Sequence, residues 1–270
     1  MTNHVFDTAT AIKPDSSDSN VFHGETPAAY GNMVGPFGGA TAATLLRAVL
    51  DHPEVHGSPV ALTVNFAAPL ADGPFMITAR PVVTNRSNQH WMLELHQGDK
   101  PMVTATAVTG VGRETWADTE AHKPGVPAPD ELPSEQPPEG IAWAANYDIR
   151  FARGALPTPD SGASADSTST LWVRDEPPRP LDFPSLTALC DVFFPRVFLR
   201  QGQYVPAGTV SMTVYFHASA LEVDAQAEQH LLGTARSQRF GNGYFDQTAQ
   251  LWGRDDSLLA TTHQIVYYKA

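Results

Sequence analysis

Leu62-Thr63-Val64-Asn65-Phe66 recurs 150 residues later as Met212-Thr213-Val214-Tyr215-Phe216. Both stretches are partly β-branched and aromatic, a composition typical of strands. Two further pairs of segments keep nearly the same separation, Arg86-Ser87-Asn88 with Arg236-Ser237-Gln238 and Met102-Val103-Thr104-Ala105-Thr106 with Leu258-Leu259-Ala260-Thr261-Thr262. A near-constant separation favours an internal duplication. The alternative is that two unrelated antiparallel sheets resemble each other in composition.

Each half shows the same predicted order of elements, an apolar helix followed by strands. Ala40–Leu50 carries only one charge, Arg47, so this helix is expected to be buried on most faces. Ser185–Leu189 begins an equivalent apolar helix in the second half. The pattern predicts strands at 60–67, 75–83, 91–96 and 102–111, then at 146–151, 170–174, 209–217, 230–238, 244–252 and 258–268.

A buried helix followed by long strands has a simple physical solution, in which the sheet curls around the helix. We therefore predict an α+β fold with two such units side by side in one continuous sheet. Six prolines with acidic residues mark 117–140 as an extended linker. The expected domains are 1–116 and 141–270, the second containing an exposed Ser-rich loop at 157–170.

The formal net charge of −12 disfavours nucleic acids and anionic membrane surfaces as partners. One cysteine, Cys190, excludes an intrachain disulfide and fits a reducing compartment. The first 20 residues lack the features of a signal peptide, and no apolar run is long enough to span a membrane. We expect a cytoplasmic protein without a membrane span.

Common catalytic motifs are missing from the sequence: it has no G-x-S-x-G elbow, H-E-x-x-H motif, paired cysteines or P-loop. We therefore predict no metal site and no cofactor. Asp191 is the informative residue, because it lies in an otherwise apolar run, and burying a carboxylate is costly without compensation. It is either a structural partner of Arg196 or Arg200, or a general base whose pKa is raised by its surroundings.

Asp191 within the second apolar helix, Thr209 before Ser211-Met212-Thr213-Val214-Tyr215-Phe216-His217, and Gln264 after Ala260-Thr261-Thr262-His263 form an ordered set of polar positions. In this order and spacing the chain resembles the bacterial acyl-CoA thioesterase II family, whose members have a double hotdog fold. The resemblance extends over most of both halves. It departs from the family at the Pro-rich linker, the Ser-rich loop and the residues after Asp191.

This resemblance implies hydrolysis of acyl-CoA thioesters, with Asp191, Thr209 and Gln264 as the catalytic residues holding one water. Gly38 and Gly39 are candidate substrate-binding residues through their backbone N–H groups, or they form a tight turn. Because CoA is polyanionic, its site must gather Lys or Arg against the overall charge. Duplicated hotdog chains resemble a fused dimer, and further homo-oligomers are possible through edge strands.

Thr41 stands where the duplication places the counterpart of Asp191, so the first half lacks that carboxylate. Two other functions stay open. One is a non-catalytic acyl-thioester binding module. The other is a hotdog enoyl-CoA hydratase or dehydratase, which is disfavoured because no D-x-N-P-x-H run occurs.

Overall fold

The computed structural model describes residues 4–269. Its strands form one antiparallel sheet of 13 strands in the order β1-β2-β4-β5-β6-β3-β9-β13-β12-β10-β8-β7, with β11 paired to β12. The strands are β1 Lys13–Pro14, β2 Val21–Glu25, β3 Ser58–Phe66, β4 Pro74–Thr84, β5 Asn88–Gln97, β6 Lys100–Gly110, β7 Tyr147–Arg153, β8 Ser169–Asp175, β9 Ala207–Phe216, β10 Leu231–Arg236, β11 Phe240–Gly241, β12 Tyr244–Trp252 and β13 Leu258–Tyr268. The predicted α+β fold with a continuous sheet is confirmed.

The helices are α1 Val5–Ala9, α2 Gly38–Leu50, α3 Phe183–Leu189, α4 Val197–Gln201 and α5 Ala220–Asp224. Nearly all residues of α2 and every residue of α3 are buried, and the two helices pack against each other. Their small residues, mainly Ala and Thr, allow this close approach. The main core therefore lies between the paired helices and the inner face of the curved sheet.

The two halves meet along β3 and β9. On either side of this seam the strand order corresponds, since β6, β5, β4 and β2 follow β3 as β13, β12, β10 and β8 follow β9. Asn65 pairs with Ser211, which is the copy of Ala61. Ala61 in turn pairs with Tyr215, which is the copy of Asn65. Such reciprocal pairing is the geometry of a two-fold interface. Duplication thus produces a dimer-like sheet within one chain.

One expectation about the second helix is wrong. Asp191 does not lie inside α3, because this helix ends at Leu189 with Cys190 as its C-cap. Pro195 prevents the chain from continuing as one helix, and a separate short helix, α4, begins at Val197. The elements at the start of the chain were not predicted: helix α1 precedes β1 and β2, which extend the first half of the sheet.

The Pro-rich segment after β6 packs against the outer face of the second half. Trp172 and Trp252, on neighbouring parts of the sheet, form an apolar cluster that Val126 and Leu132 cover. The Trp172 indole N–H donates to the Pro127 carbonyl at 2.9 Å. These contacts hold the segment in place although it forms no strand. Within residues 4–269, no helix has both the length and the apolar character needed to cross a membrane.

Candidate active site

A cavity of about 1370 Å³, which we call the large cavity, opens between the two halves. The first turn of α2, the loop after α3 and strands β9 and β13 contribute to its walls, and so does the segment 135–141 at the end of the Pro-rich stretch. Much of the lining is aromatic; Phe37 stacks on Trp143 with ring centroids 4.2 Å apart. An apolar cavity with few polar groups is typical of a small-molecule site.

The three polar residues predicted to act together lie in the wall of this cavity, although they come from separate elements. The Gln264 side-chain amide donates to Asp191 Oδ1 at 2.8 Å, and the Thr209 hydroxyl donates to Gln264 Oε1 at 3.1 Å. The groups are therefore arranged in a line with Gln264 in the middle. Gln264 is only 2% exposed, so its orientation is fixed by these contacts.

The Asp191 carboxyl is partly exposed to the cavity and otherwise enclosed by protein. Burial raises its pKa to about 7, while hydrogen bonds from Gln264 and from the Gly39 backbone N–H oppose the rise. No Lys, Arg or His among residues 4–269 forms a salt bridge with Asp191. A carboxyl with a pKa near neutrality can take up and release a proton at physiological pH.

The expected alternative, an ion pair with Arg196 or Arg200, is not present. Arg196 is fully buried, but its guanidinium donates to the Phe194 carbonyl, to Gln247 Oε1 at 3.1 Å and to Ser169 Oγ. Arg200 donates to the Ala165 carbonyl. Both arginines are therefore engaged elsewhere.

Gly38 and Gly39 bring the start of α2 against the end of α3. A Cβ on Gly38 would lie 2.8 Å from Asp191 Oδ2, and one on Gly39 would lie 2.7 Å from the Ala188 carbonyl oxygen. Only glycine permits this approach. The Ncap residue of α2 is Phe37, whose side chain cannot accept a hydrogen bond from the first turn. The Asp191 carboxyl instead lies where the helix dipole favours negative charge.

The counterpart of Asp191 in the first half has no carboxyl group. Thr41 lies in α2, lines the large cavity and donates its hydroxyl to the Phe37 carbonyl at 3.3 Å.

Cys190, next to Asp191 in sequence, is fully buried in the main core, and burial raises the pKa of its thiol. This environment disfavours the thiolate, so Cys190 behaves as a core residue.

Two features of the cavity were not predicted from the sequence. Gln247 lies beside Gln264 on the neighbouring strand and is held by Arg196. Segment 135–141 closes part of the cavity after crossing from the outer face. Buried and more exposed residues alternate along β12, and this pattern could have identified Gln247 as inward-facing. Nothing in the sequence of the Pro-rich segment indicates where that segment packs. Within residues 4–269, no group of three or more His, Cys, Asp or Glu side chains could hold a metal ion.

Two family models match the chain in sequence order. Residues 26–110 match the acyl-CoA thioesterase N-terminal domain, and residues 124–268 match the acyl-CoA thioesterase C-terminal domain. Together they span most of the sequence. The chain belongs to the acyl-CoA thioesterase family. It is a thioesterase, and the resemblance inferred from its sequence is confirmed. No curated protein matches this acyl-CoA thioesterase.

Solved structures similar to this thioesterase share its double hotdog fold. A hotdog protein of unknown function from Alicyclobacillus acidocaldarius is 49% identical, with a TM-score of 0.95, covering 100% of this chain and 99% of that one. A putative thioesterase II from Thermobifida fusca YX is 20% identical, with a TM-score of 0.81 and coverage of 98% and 97%. The acyl-CoA thioesterase II TesB2 from Mycobacterium marinum is 16% identical, with a TM-score of 0.76 and coverage of 98% and 98%.

Proposed function

We propose that this thioesterase hydrolyses acyl-CoA to the free acid and CoA, using a water molecule activated by Asp191. The observation that carries the proposal is the hydrogen-bonded line from Thr209 through Gln264 to Asp191 in the wall of an apolar cavity. Gln264 donates to Oδ1 of the carboxylate, and Oδ2, which lies beside Gly38, is the oxygen that we assign to accept the proton from water. Thr209 fixes the orientation of the Gln264 amide.

In the proposed reaction, Asp191 accepts a proton from water as the water oxygen attacks the thioester carbonyl carbon. The C–O bond forms, and the carbonyl electrons move onto its oxygen. When the tetrahedral intermediate collapses, the C–S bond breaks and CoA leaves as a thiolate that takes up the proton from Asp191. The enzyme returns to its starting state without a covalent acyl-enzyme. Positioned general base catalysis contributes roughly 10²–10⁴ in rate.

The developing oxyanion requires donors near the attacking water. The N-terminus of α2 approaches Asp191 at Gly38 and Gly39, and first-turn N–H groups have no acceptors within their own helix. We infer that the Gly38 N–H helps to bind the carbonyl oxygen, because a helix N-terminus stabilises negative charge. The acyl chain would then extend into the apolar part of the large cavity, along the wall that the stacked rings of Phe37 and Trp143 form.

The decisive experiment measures thiol release from a panel of acyl-CoAs of increasing chain length. With the best substrate, Asp191→Asn is expected to lower kcat/KM by about 10²–10⁴, because the base is lost while the shape is kept. Thr209→Val is expected to have a smaller effect, since it acts through Gln264. The matched control is Asp99→Asn, a change at an exposed aspartate in the β5–β6 turn.

Full activity of Asp191→Asn would remove Asp191 from the mechanism. If the wild type released no thiol from any acyl-CoA but still bound them, the protein would be an acyl-thioester binding module. Loss of activity in the Asp99→Asn control as well would indicate that the assay reports folding.

A further inference from the structure

A second cavity, of about 890 Å³, lies in the second half of the molecule. Four exposed arginines line it, and we call it the arginine basin: Arg153, Arg200, Arg236 and Arg239. The whole chain contains 17 Lys and Arg against 29 Asp and Glu. Among the lining residues of the basin the only acidic side chain is Asp166, so the local charge opposes the charge of the protein as a whole.

The basin leaves much of its positive charge uncompensated. Arg153 forms a salt bridge with Asp166, and Arg200 donates to a backbone carbonyl. Arg236 donates only to the neutral Gln238, at 3.2 Å. The Arg239 side chain makes no ion pair or hydrogen bond with any residue between 4 and 269. Among residues 4–269, no carboxylate forms a salt bridge with Arg200, Arg236 or Arg239, although the charge of Asp166 also acts on Arg236.

Asp246 also lies near the basin, but its carboxylate accepts hydrogen bonds from backbone N–H groups of the basin wall. Its Oδ1 accepts the backbone N–H groups of Gln238 and Arg239 at 3.0 and 2.8 Å. These bonds fix the loop that carries Arg239. The carboxylate therefore orders the wall of the basin and presents no oxygen among its lining residues.

The arginine basin adjoins the large cavity through two shared elements. On α4, Phe198 lines the large cavity and Arg200 lines the basin. On β7, Phe151 lines the large cavity and Arg153 lines the basin, a separation of about 7 Å along the strand. A ligand that emerges from the large cavity past Phe151 would therefore reach the arginines of the basin.

We propose that the arginine basin binds the phosphate groups of the CoA portion of the substrate, an inference that rests on the proposed function. CoA carries its phosphates at the end of a long neutral arm, so the thioester and the anionic groups must occupy separate but adjacent sites. The guanidinium group matches phosphate geometry with paired N–H donors. A local positive concavity is also what a polyanion requires to approach a protein of net charge −12.

The test compares two substrates with the same acyl group, an acyl-CoA and the corresponding acyl-pantetheine, which lacks the phosphates. Arg236→Ala/Arg239→Ala removes two arginines that make few contacts, so the fold is retained. We expect KM for acyl-CoA to rise roughly tenfold or more, while kcat/KM for acyl-pantetheine stays within about twofold of the wild type. The matched control, Arg80→Ala/Arg113→Ala, removes two exposed arginines outside both cavities.

Increasing salt is expected to raise KM of the wild type for acyl-CoA more steeply than KM of the basin variant. Equal losses with both substrates would mean that the basin variant damages the active site, and the inference would be wrong. It would also be wrong if the control variant raised KM for acyl-CoA as much. Hydrolysis of neither substrate by the wild type would instead contradict the proposed function.

Discussion

The hydroxyls of Thr63 and Thr213, which are 150 residues apart in the sequence, lie 3.0 Å apart across the seam between β3 and β9. Each residue is the copy of the other in the duplicated sequence, and they pair directly in the antiparallel register. The pseudo-two-fold axis therefore passes between them. A duplicated segment that pairs with its own copy joins the two halves without any additional interface.

The seam pair gives the first prediction. Thr63→Val and Thr213→Val each remove one hydroxyl while keeping a β-branched residue, so strand preference is maintained. We expect each single change to lower the free energy of unfolding, and the double change to cost less than their sum. The coupling is expected to be about 0.2–1 kcal/mol, as for other cross-strand threonine pairs. Urea unfolding of the wild type, the two single variants and the double variant measures this coupling energy. Strict additivity of the two losses would show that the hydroxyls do not interact.

The architecture was predictable because its strands are long and its sequence is duplicated. Strand β13 has the predicted bounds, Leu258–Tyr268, and the two apolar helices lie where their composition placed them. Edge elements were missed because their formation depends on distant partners. Strand β2, for example, exists by pairing with β4, and nothing in Val21–Glu25 alone signals that pairing.

The candidate site was only partly predictable. Asp191, Thr209 and Gln264 were identified from their order in the sequence, but their linear arrangement through Gln264 is a property of the packed strands. The position of Asp191 just after a helix was missed, because apolar composition continues past Leu189 while the helix does not. The arginine basin draws on residues from separate elements, and no local pattern connects them.

The second prediction concerns the pH dependence of catalysis. In the proposed mechanism Asp191 must be ionised to act as a base. Because burial raises its pKa to about 7, kcat/KM is expected to rise with pH and to level off above about 7. The Gln264 amide stabilises the carboxylate, so Gln264→Met is expected to raise the pKa of Asp191 and to move the midpoint to higher pH. A pH–rate profile measured with one acyl-CoA tests both statements.

Gln250→Met provides the control for this profile. Gln250 lies on β12, and its side chain makes no hydrogen bond with the described residues. The midpoint of this variant should match that of the wild type. A wild-type midpoint near the ordinary carboxyl pKa would contradict the raised pKa of Asp191. A Gln264→Met midpoint shifted to lower pH would contradict the role assigned to the amide.

The third prediction concerns the contact between α2 and α3. In Gly39→Ala the added methyl carbon would lie 2.7 Å from the Ala188 carbonyl oxygen and 2.6 Å from the Phe37 ring. Because the carbonyl belongs to the backbone, relief requires the helices to move apart, and we expect a loss of about 1–3 kcal/mol in unfolding free energy. Gly112→Ala, where nothing lies within 4 Å, is the matched control. Equal thermal stability of the two variants would show that the helices are not closely packed at Gly39.

The fourth prediction links the Asp191 carboxyl to stability. In the folded protein the pKa of Asp191 is raised from 3.8 to about 7, so between these values the folded state binds more protons than the unfolded state. The free energy of unfolding therefore falls as pH rises from about 4 to 7, and the charged carboxylate destabilises the fold above that range.

Asp191→Asn lacks this titration and keeps an acceptor for Gln264. Its Tm should exceed that of the wild type at pH 8, and the difference should shrink towards pH 4 in thermal scans. Asp99→Asn should show no such pH-dependent difference. A Tm difference between Asp191→Asn and the wild type that is the same at both pH values would show that Asp191 is not held with a raised pKa.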